Sequence, residues 1–223
     1  MKRLRTERSF LGTLWAGKVT RLLLLLAGAL IIAAGIVAVC LFNEGVTAAH
    51  KAQALAVAYD NTVPNASAVT DESSKIPEAP TKTTRSDPGP VTVDGYQVMG
   101  KLEIPKLEAT LPVIAYTDDE ALKVSVCYYQ GPMPGEPGNL VITGHNFANG
   151  AHFGRLDELE KDDVVTLSMP DGSKYAYKVT GKRNIKPDNP EALDDYVGSH
   201  VLTLMTCTNH GNERLLVSCG QEE

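Results

Sequence analysis

The chain has 223 residues, of which 43% are hydrophobic and 22% are charged, a composition typical of one globular domain with extensions. Its formal net charge of −6 is unevenly distributed, because residues 1–21 contain six basic residues and one glutamate, which leaves the remainder strongly acidic. An acidic body lacks the clustered Lys and Arg that bind phosphates, so we expect no nucleic-acid partner.

An uncharged and mostly apolar run occupies residues 22–42. As a helix it would extend about 31 Å, close to the thickness of a bilayer's hydrocarbon core. A cleaved signal peptide fits less well, since its apolar region usually has only about 7–15 residues. Basic residues crowd the N-terminal side, which predicts a single-pass anchor with residues 1–21 in the cytoplasm and everything after Asn43 outside the cell.

Residues 43–90 are predicted to be an extracytoplasmic linker. An alanine-rich stretch at residues 46–58 favours continued helix, but residues 61–90 are mostly Thr, Ser, Pro, Asp and Lys. Such a segment has too little apolar surface to offset its loss of conformational entropy on ordering. Residues 91–223 are numerous enough to bury a core of their own and are predicted to be the folded domain.

Short apolar runs separated by turn signals fill the folded domain and predict a sandwich or a barrel. A capping-box sequence predicts a short helix with Thr117 as its N-cap. Pro170-Asp171-Gly172 predicts a hairpin, and Asn189-Pro190 predicts the start of a helix that ends near Tyr196. A further helical turn is predicted at residues 153–159. The predicted strands are 98–104, 111–114, 139–143, 164–168, 174–180, 201–206 and 214–219.

Of the four cysteines, Cys40 lies in the apolar run and the other three follow it. An odd number outside the membrane leaves at least one thiol unpaired, which makes it a candidate reactive group. Cys127 and Cys219 lie in apolar runs and are expected to be buried, with a disulfide between them left open. Spacings typical of zinc sites do not occur, so we predict neither a metal site nor a cofactor.

Three reactive side chains stand at the ends of predicted strands. Gly144 and His145 follow one apolar strand, which places the imidazole at a rim. Cys207 ends another strand immediately before a polar turn, where a thiolate can meet a substrate. Arg214 begins the last strand, and a hairpin would bring it beside Cys207. Taken singly, the histidine fits a surface residue better, and the arginine fits a solvated charge equally well. A structural cysteine usually lies within an apolar run, whereas Cys207 lies at its exit.

Taken together, these sequences resemble the sortase family. Thr203-Leu204-Met205-Thr206-Cys207 resembles its Thr-Leu-x-Thr-Cys motif, Thr143-Gly144-His145 resembles its histidine motif, and Arg214 lies on the strand after the cysteine. Gly100–Pro105 resembles the family's opening strand, and the resemblance covers roughly residues 95–220. It implies a mainly β fold, an eight-stranded closed β-barrel with a few short helices, here preceded by one N-terminal transmembrane helix.

The resemblance implies a cysteine transpeptidase that cleaves a Leu-Pro-x-Thr-Gly sorting signal between Thr and Gly. Cys207 would be the nucleophile, His145 the proton-transfer group and Arg214 the oxyanion donor. Thr206 would help to hold the peptide or the oxyanion. The loop at residues 183–196 would form one wall of the peptide groove, with contacts from Ile185, Pro187 and Leu193.

The implied partners are the sorting peptide of a secreted surface protein and an amine acceptor, either a peptidoglycan precursor or a pilin lysine. Asp87-Pro88-Gly89 lacks the aromatic residue of the lid that pilus-building members often carry. The chain also ends at Glu223 without the second membrane segment common in those members. We therefore expect attachment of proteins to the cell wall, with pilus assembly as the second possibility.

Two other classes of function stay open, a cysteine peptidase that only hydrolyses its acyl-enzyme and an inert binding module tethered to the surface. Among the other histidines, His210 follows Cys207 in the turn and is the second candidate for proton transfer. His152 is predicted to lie on the surface of a helical segment.

Overall fold

The computed structural model describes residues 3–63, 89–194 and 199–221. The chain divides into two compact units, Met1–Asn43 and Glu44–Glu223. Residues 64–88, which contain most of the predicted linker and Asp87-Pro88, lie outside the described residues, as does the predicted helix end at Tyr196.

The first unit is helical throughout its described part and belongs to helix α1 (Arg3–Thr62). Its leucines, isoleucines and valines between residues 22 and 42 are exposed. The most apolar 18-residue window of the candidate span contains no buried residue and is long enough to cross a membrane. This confirms a long N-terminal apolar helix that could span a bilayer, whereas its orientation stays a prediction.

The second unit is an eight-stranded closed β-barrel, as predicted. The described strands are β1 Val91–Val93, β2 Tyr96–Ile104, β3 Ala109–Ile114, β4 Val126–Gln130, β5 Gly138–Gly144, β6 Val164–Ser168, β7 Lys174–Ile185, β8 His200–Thr208 and β9 Glu213–Gln221. The ring has the order β2-β3-β4-β5-β8-β9-β7-β6, and pairing of β6 with β2 closes it. β1 pairs with β2 and lies outside the ring. The β3–β4 and β5–β8 pairings are parallel.

Among the described residues from 89 onwards, helical structure is sparse, and its positions differ in detail from the prediction. Helix α2 (Asp119–Leu122) has Asp118 as its N-cap, because Asp118 Oδ1 accepts a 2.7 Å hydrogen bond from the Ala121 amide. The predicted cap, Thr117, is wrong, since its hydroxyl donates instead to the carbonyl of Tyr128. The 3₁₀ helices are Pro105–Leu107, Leu156–Glu158, Pro190–Leu193 and Asn209–Gly211.

Residues 44–62 of α1 pack on the outside of the barrel, although the sequence assigned them to a linker. Their buried positions recur every three or four residues, which places them on one helix face. Leu55 and Tyr59 share a cluster with apolar residues of β1 to β4, and Ala52 joins the barrel core. Small side chains dominate this face and bring the helix close to the barrel. The buried residues are Gly45, Ala48, Ala52, Leu55, Ala56 and Tyr59.

An ion pair between a buried lysine and a partly exposed aspartate fixes the C-terminal end of this helix. Lys101 of β2 has a side chain only 6% exposed, and its Nζ lies 2.7 Å from Asp60 Oδ1. Glu103 is more distant, at 3.9 Å. Because a buried ammonium is strongly unfavourable without a partner, the barrel depends on the helix to neutralise Lys101.

Replacing Asp60 with alanine should lower the free energy of unfolding by about 1.5 kcal/mol, since Lys101 keeps only the distant Glu103. Adding Lys101→Met should recover part of this loss, because it removes the unpaired charge. Glu120→Ala is the matched control, since it breaks the exposed Lys123–Glu120 pair and should leave stability nearly unchanged. Chemical unfolding of the three variants would measure this, and equal losses for Asp60→Ala and Glu120→Ala would contradict it.

Candidate active site

The parallel pairing of β5 with β8 brings two strand ends together. Gly144 lies opposite Thr206, so His145 and Cys207 follow at the same edge of the barrel. The Thr206 hydroxyl donates to the Gly144 carbonyl at 2.7 Å, and Asn146 Nδ2 donates to the Cys207 carbonyl at 2.8 Å. These two bonds fix the backbone on both sides of the pair.

Thr206 is therefore a support for the site. Its side chain is buried, and its hydroxyl is engaged between the two strands. The expected role of Thr206 in holding the peptide or the oxyanion stays a prediction. Asn146, which sequence reasoning missed, acts in the same way from the other strand; its position directly after His145 was the available signal.

Antiparallel pairing of β8 with β9 places Arg214 directly opposite Cys207. The tight turn between them contains Asn209 and His210, both with positive φ, and Gly211. Arg214 Nη1 donates to the carbonyls of Gly211 at 3.0 Å and Glu213 at 3.1 Å. These bonds use one nitrogen of a group with five N–H donors, so they orient the guanidinium while other donors can serve a ligand.

A cavity of about 260 Å³ opens at this edge of the barrel. Cys207, His145 and Arg214 all line it, which brings the three predicted catalytic residues into one site. His210, the second candidate for proton transfer, lies in the exposed turn. The other lining residues are Thr117, Leu122, Tyr129, Thr143, Gly144, Ile185, Pro187, Asn189, Leu193 and Met205.

The wall formed by Ile185, Pro187 and Leu193 is tied to the strands that carry the reactive residues. Asn139 Nδ2 of β5 donates to the Leu193 carbonyl at 2.8 Å, and Asn139 Oδ1 accepts a 2.7 Å bond from the Thr203 hydroxyl of β8. The Leu193 side chain is buried in a small apolar cluster on the barrel. The three predicted peptide contacts therefore lie on an anchored wall, while their role in binding stays a prediction.

Burial distinguishes the cysteines of the barrel. Cys127 and Cys219 are free and fully buried, in different apolar clusters, so the disulfide left open by the sequence does not form. Desolvation raises the pKa of each of these thiols to about 12, which keeps them protonated. Cys207 is partly exposed at the cavity. It is therefore the thiol with access to a substrate in this unit.

The environment of His145 favours its neutral form. Burial lowers the pKa of this imidazole, while Asp119 opposes the shift and Lys123 adds to it. A histidine whose pKa lies below its ordinary value is neutral at neutral pH and can accept a proton. The side chain thus has the properties of a general base within reach of the strand end that carries Cys207.

His152 lies inside the unit, which corrects its predicted surface position. It is 4% exposed, and neither ring nitrogen has a hydrogen-bond partner among the described residues. Burial lowers its pKa to about 4, although backbone groups of Ala48, Val124 and Leu122 oppose the shift. His152 was predicted to lie on the surface because residues 44–62 were assigned to a linker. In the structure these residues form a helix that covers His152.

Acid should destabilise the fold through His152. Because its pKa is 6.5 ordinarily and about 4 when buried, the unfolded chain binds more protons between these values. The free energy of unfolding should therefore fall by up to about 3 kcal/mol as the pH drops from 6.5 to 4. Chemical unfolding across this range should show a weaker pH dependence for His152→Phe and an unchanged one for His50→Gln, an exposed control. An unchanged slope in His152→Phe would contradict the assignment.

Comparison with known proteins agrees with this geometry. The family model for the sortase domain matches residues 102–222, more than half of the chain. A sortase A of Bacillus anthracis is 31% identical over 120 residues, which cover 53% of this chain and 56% of that protein. The chain thus spans about half the length of this curated relative.

Two solved structures share the barrel. The sortase C of Streptococcus pneumoniae, whose crystal structure is described in terms of catalysis and pilin substrate specificity, has a TM-score of 0.53 and 28% identity, covering 56% of this chain and 66% of that one. The sortase C of Clostridium perfringens, solved with the C-terminal cell wall sorting motif, has a TM-score of 0.52 and 30% identity, covering 57% and 71%. Fold, motifs and family match agree, and the chain belongs to the sortase family.

Proposed function

We propose that this chain is a cysteine transpeptidase that cleaves a sorting signal of the Leu-Pro-x-Thr-Gly type between Thr and Gly and transfers the new acyl group to an amine. The observation that carries the proposal is the register of β5, β8 and β9. His145 directly follows β5, Cys207 lies near the end of β8 and Arg214 lies on β9, and all three line a single cavity.

In the first half of the reaction, His145 accepts the thiol proton of Cys207 as the sulfur attacks the threonine carbonyl carbon. The carbonyl oxygen gains charge, and an N–H of Arg214 stabilises it. The C–N bond then breaks, His145 donates a proton to the leaving glycine amine, and a thioester joins the substrate to Cys207. The planar guanidinium, already oriented by two backbone carbonyls, needs little rearrangement to act.

In the second half, an amine attacks the thioester carbonyl. His145 accepts the proton that the amine loses, Arg214 again stabilises the oxyanion, and the Cys207 sulfur leaves as the C–S bond breaks. The lowered pKa of His145 suits this step, because the imidazole returns readily to its neutral, proton-accepting form. An amide bond and a regenerated thiol are the products.

The cavity supports a peptide with apolar residues before the scissile bond. Ile185, Pro187 and Leu193 form one side, with Leu122 and Met205 also in the lining. A surface of this kind buries the Leu and Pro of a sorting signal, while polar groups at the reactive end fix the backbone. The structure of a related sortase C with a sorting motif is consistent with this substrate class.

The proposed setting is the outer face of the cell membrane. The apolar part of α1 would anchor the chain, with the basic residues 1–21 inside and the barrel outside. A tethered enzyme meets membrane-bound acceptors at a raised effective concentration. Transfer to a peptidoglycan precursor is the first candidate. Transfer to a pilin lysine is the second, favoured by the similarity to a sortase C studied for pilin specificity.

Cys207→Ala should abolish both cleavage and transfer, because the other thiols of the barrel are buried. Arg214→Lys should lower kcat/KM by about 10²-fold or more, since an ammonium does not reproduce the guanidinium fork. Arg155→Lys is the matched control at an exposed arginine paired with Glu158, and it should leave the rate unchanged. A fluorogenic sorting peptide measures all three, and near-normal turnover in Cys207→Ala would refute the nucleophile assignment.

The class of acceptor is tested by the products from a Leu-Pro-x-Thr-Gly peptide supplied in turn with oligoglycine, a diaminopimelate-type amine or a pilin lysine peptide. Mass spectrometry should detect an amide with one of the first two if the role is wall anchoring. An amide formed only with the pilin peptide would favour polymerisation. Brisk cleavage that yields only free carboxylate with every acceptor would contradict the transpeptidase and favour the peptidase.

A further inference from the structure

The loop that follows His145 is closed by its own hydrogen bonds. The Phe153 amide donates back to the His145 carbonyl at 3.0 Å, and the Gly150 amide donates to the Phe147 carbonyl at 2.9 Å. Inside the loop, Asn149 Oδ1 accepts a 3.2 Å bond from the Ala151 amide. These hydrogen bonds couple the tip of the loop to its start, so a displacement at the tip should change the position of His145.

The first turn of residues 44–62 in α1 lies against this loop. Gly45 is buried, and a Cβ placed on it would lie 2.1 Å from Asn149 Oδ1 and 2.5 Å from its Cγ. Ala48, one turn on, is 3% exposed, and its backbone lies close enough to the His152 ring to affect that group's pKa. An alanine at residue 45 would therefore require a shift of the Asn149 side-chain amide, whose oxygen is held by its bond to Ala151.

A line of aromatic rings connects this contact to the site. His152 meets Phe147 edge to face with ring centroids 5.1 Å apart, and Phe147 meets His145 in the same manner at 5.2 Å. Edge-to-face pairs at this spacing are attractive and fix the relative ring orientation. The His145 imidazole is therefore packed against a ring whose other neighbour is His152, beside the helix.

We propose that Gly45 and Ala48 are positioning residues for His145, acting through Asn149, His152 and Phe147. The helix that covers the barrel would thus set the orientation of the proton-transfer group as well as add stability. The catalytic consequence rests on the proposed function, whereas the effect on the His145 ring does not.

The opposite end of the same helix offers a matched control. Leu55 and Tyr59 pack against Val93, Val98 and Ile114 in a separate apolar cluster. A change there weakens the attachment of the helix but keeps Gly45, Asn149 and the three rings of His152, Phe147 and His145. The two ends therefore separate positioning from stability.

The test uses the full chain in detergent micelles with ¹³C-labelled histidine. The chain has five histidines, and the ring signal of His145 is assigned by its loss in His145→Gln. Gly45→Ala should shift that signal and its titration midpoint and lower kcat about tenfold, with KM for the sorting peptide within about twofold of wild type. Since alanine is a better helix former than glycine, a weaker helix cannot explain the loss.

Adding Asn149→Ala to Gly45→Ala should restore the His145 signal and kcat towards those of Asn149→Ala alone, because the atoms that would clash are gone. Leu55→Ala should lower the Tm but leave the His145 signal and kcat unchanged. If Gly45→Ala fails to fold, Ala48→Gly, which makes the helix backbone beside His152 more flexible, should shift the same signal.

An unmoved His145 signal in Gly45→Ala, or in Ala48→Gly where the first variant does not fold, would overturn the proposal. An equal shift in Leu55→Ala would overturn it as well, since the effect would then be general loosening. A shifted signal in a chain that transfers no peptide to any amine would leave the positioning intact and refute the proposed function alone.

Discussion

The site depends on one pairing, the parallel ladder between β5 and β8. Its register sets Gly144 beside Thr206, so His145, directly after β5, and Cys207, near the end of β8, reach the same edge. A slip of one residue would turn every side chain of either strand to the opposite face. The Thr206–Gly144 and Asn146–Cys207 bonds hold the strand ends in this register. A short turn joins β8 to β9, and their antiparallel pairing then places Arg214 opposite Cys207.

The folded unit depends on the helix outside the barrel as well as on the strand pairing. Its two ends serve different needs, because Asp60 neutralises the buried Lys101 at one end and Gly45 approaches the His145 loop at the other. The segment that follows the candidate membrane span in sequence is thus part of the folded unit. A chain cut at residue 91 would lose both contacts and expose the apolar residues that Leu55 and Tyr59 cover.

The sequence predicted the barrel, and it predicted that Cys207, His145 and Arg214 lie in one site. Reactive residues at the ends of apolar strands indicate an active site strongly enough to be recognised from sequence. It missed β4, a strand of five residues that is stabilised by its pairing with β3 and β5. Residues 44–62 were misinterpreted because alanine and glycine weigh little in hydropathy, although their spacing marks a packing face. The burial of His152 was missed for the same reason. The bond of the Thr206 hydroxyl to Gly144 was also missed, because it depends on a strand register that the sequence alone does not give.

The central claim is that Cys207, with its two flanking strands, forms the reactive centre for a sorting peptide. The most direct measurement is intact-mass analysis and peptide mapping of the full chain after exposure to a Leu-Pro-x-Thr peptide that carries a thiol-reactive group in place of the scissile amide. The account predicts one adduct, on Cys207, that an excess of unmodified sorting peptide suppresses and a scrambled peptide does not. Labelling of Cys40, Cys127 or Cys219 at a similar rate, or equal suppression by the scrambled peptide, would contradict it.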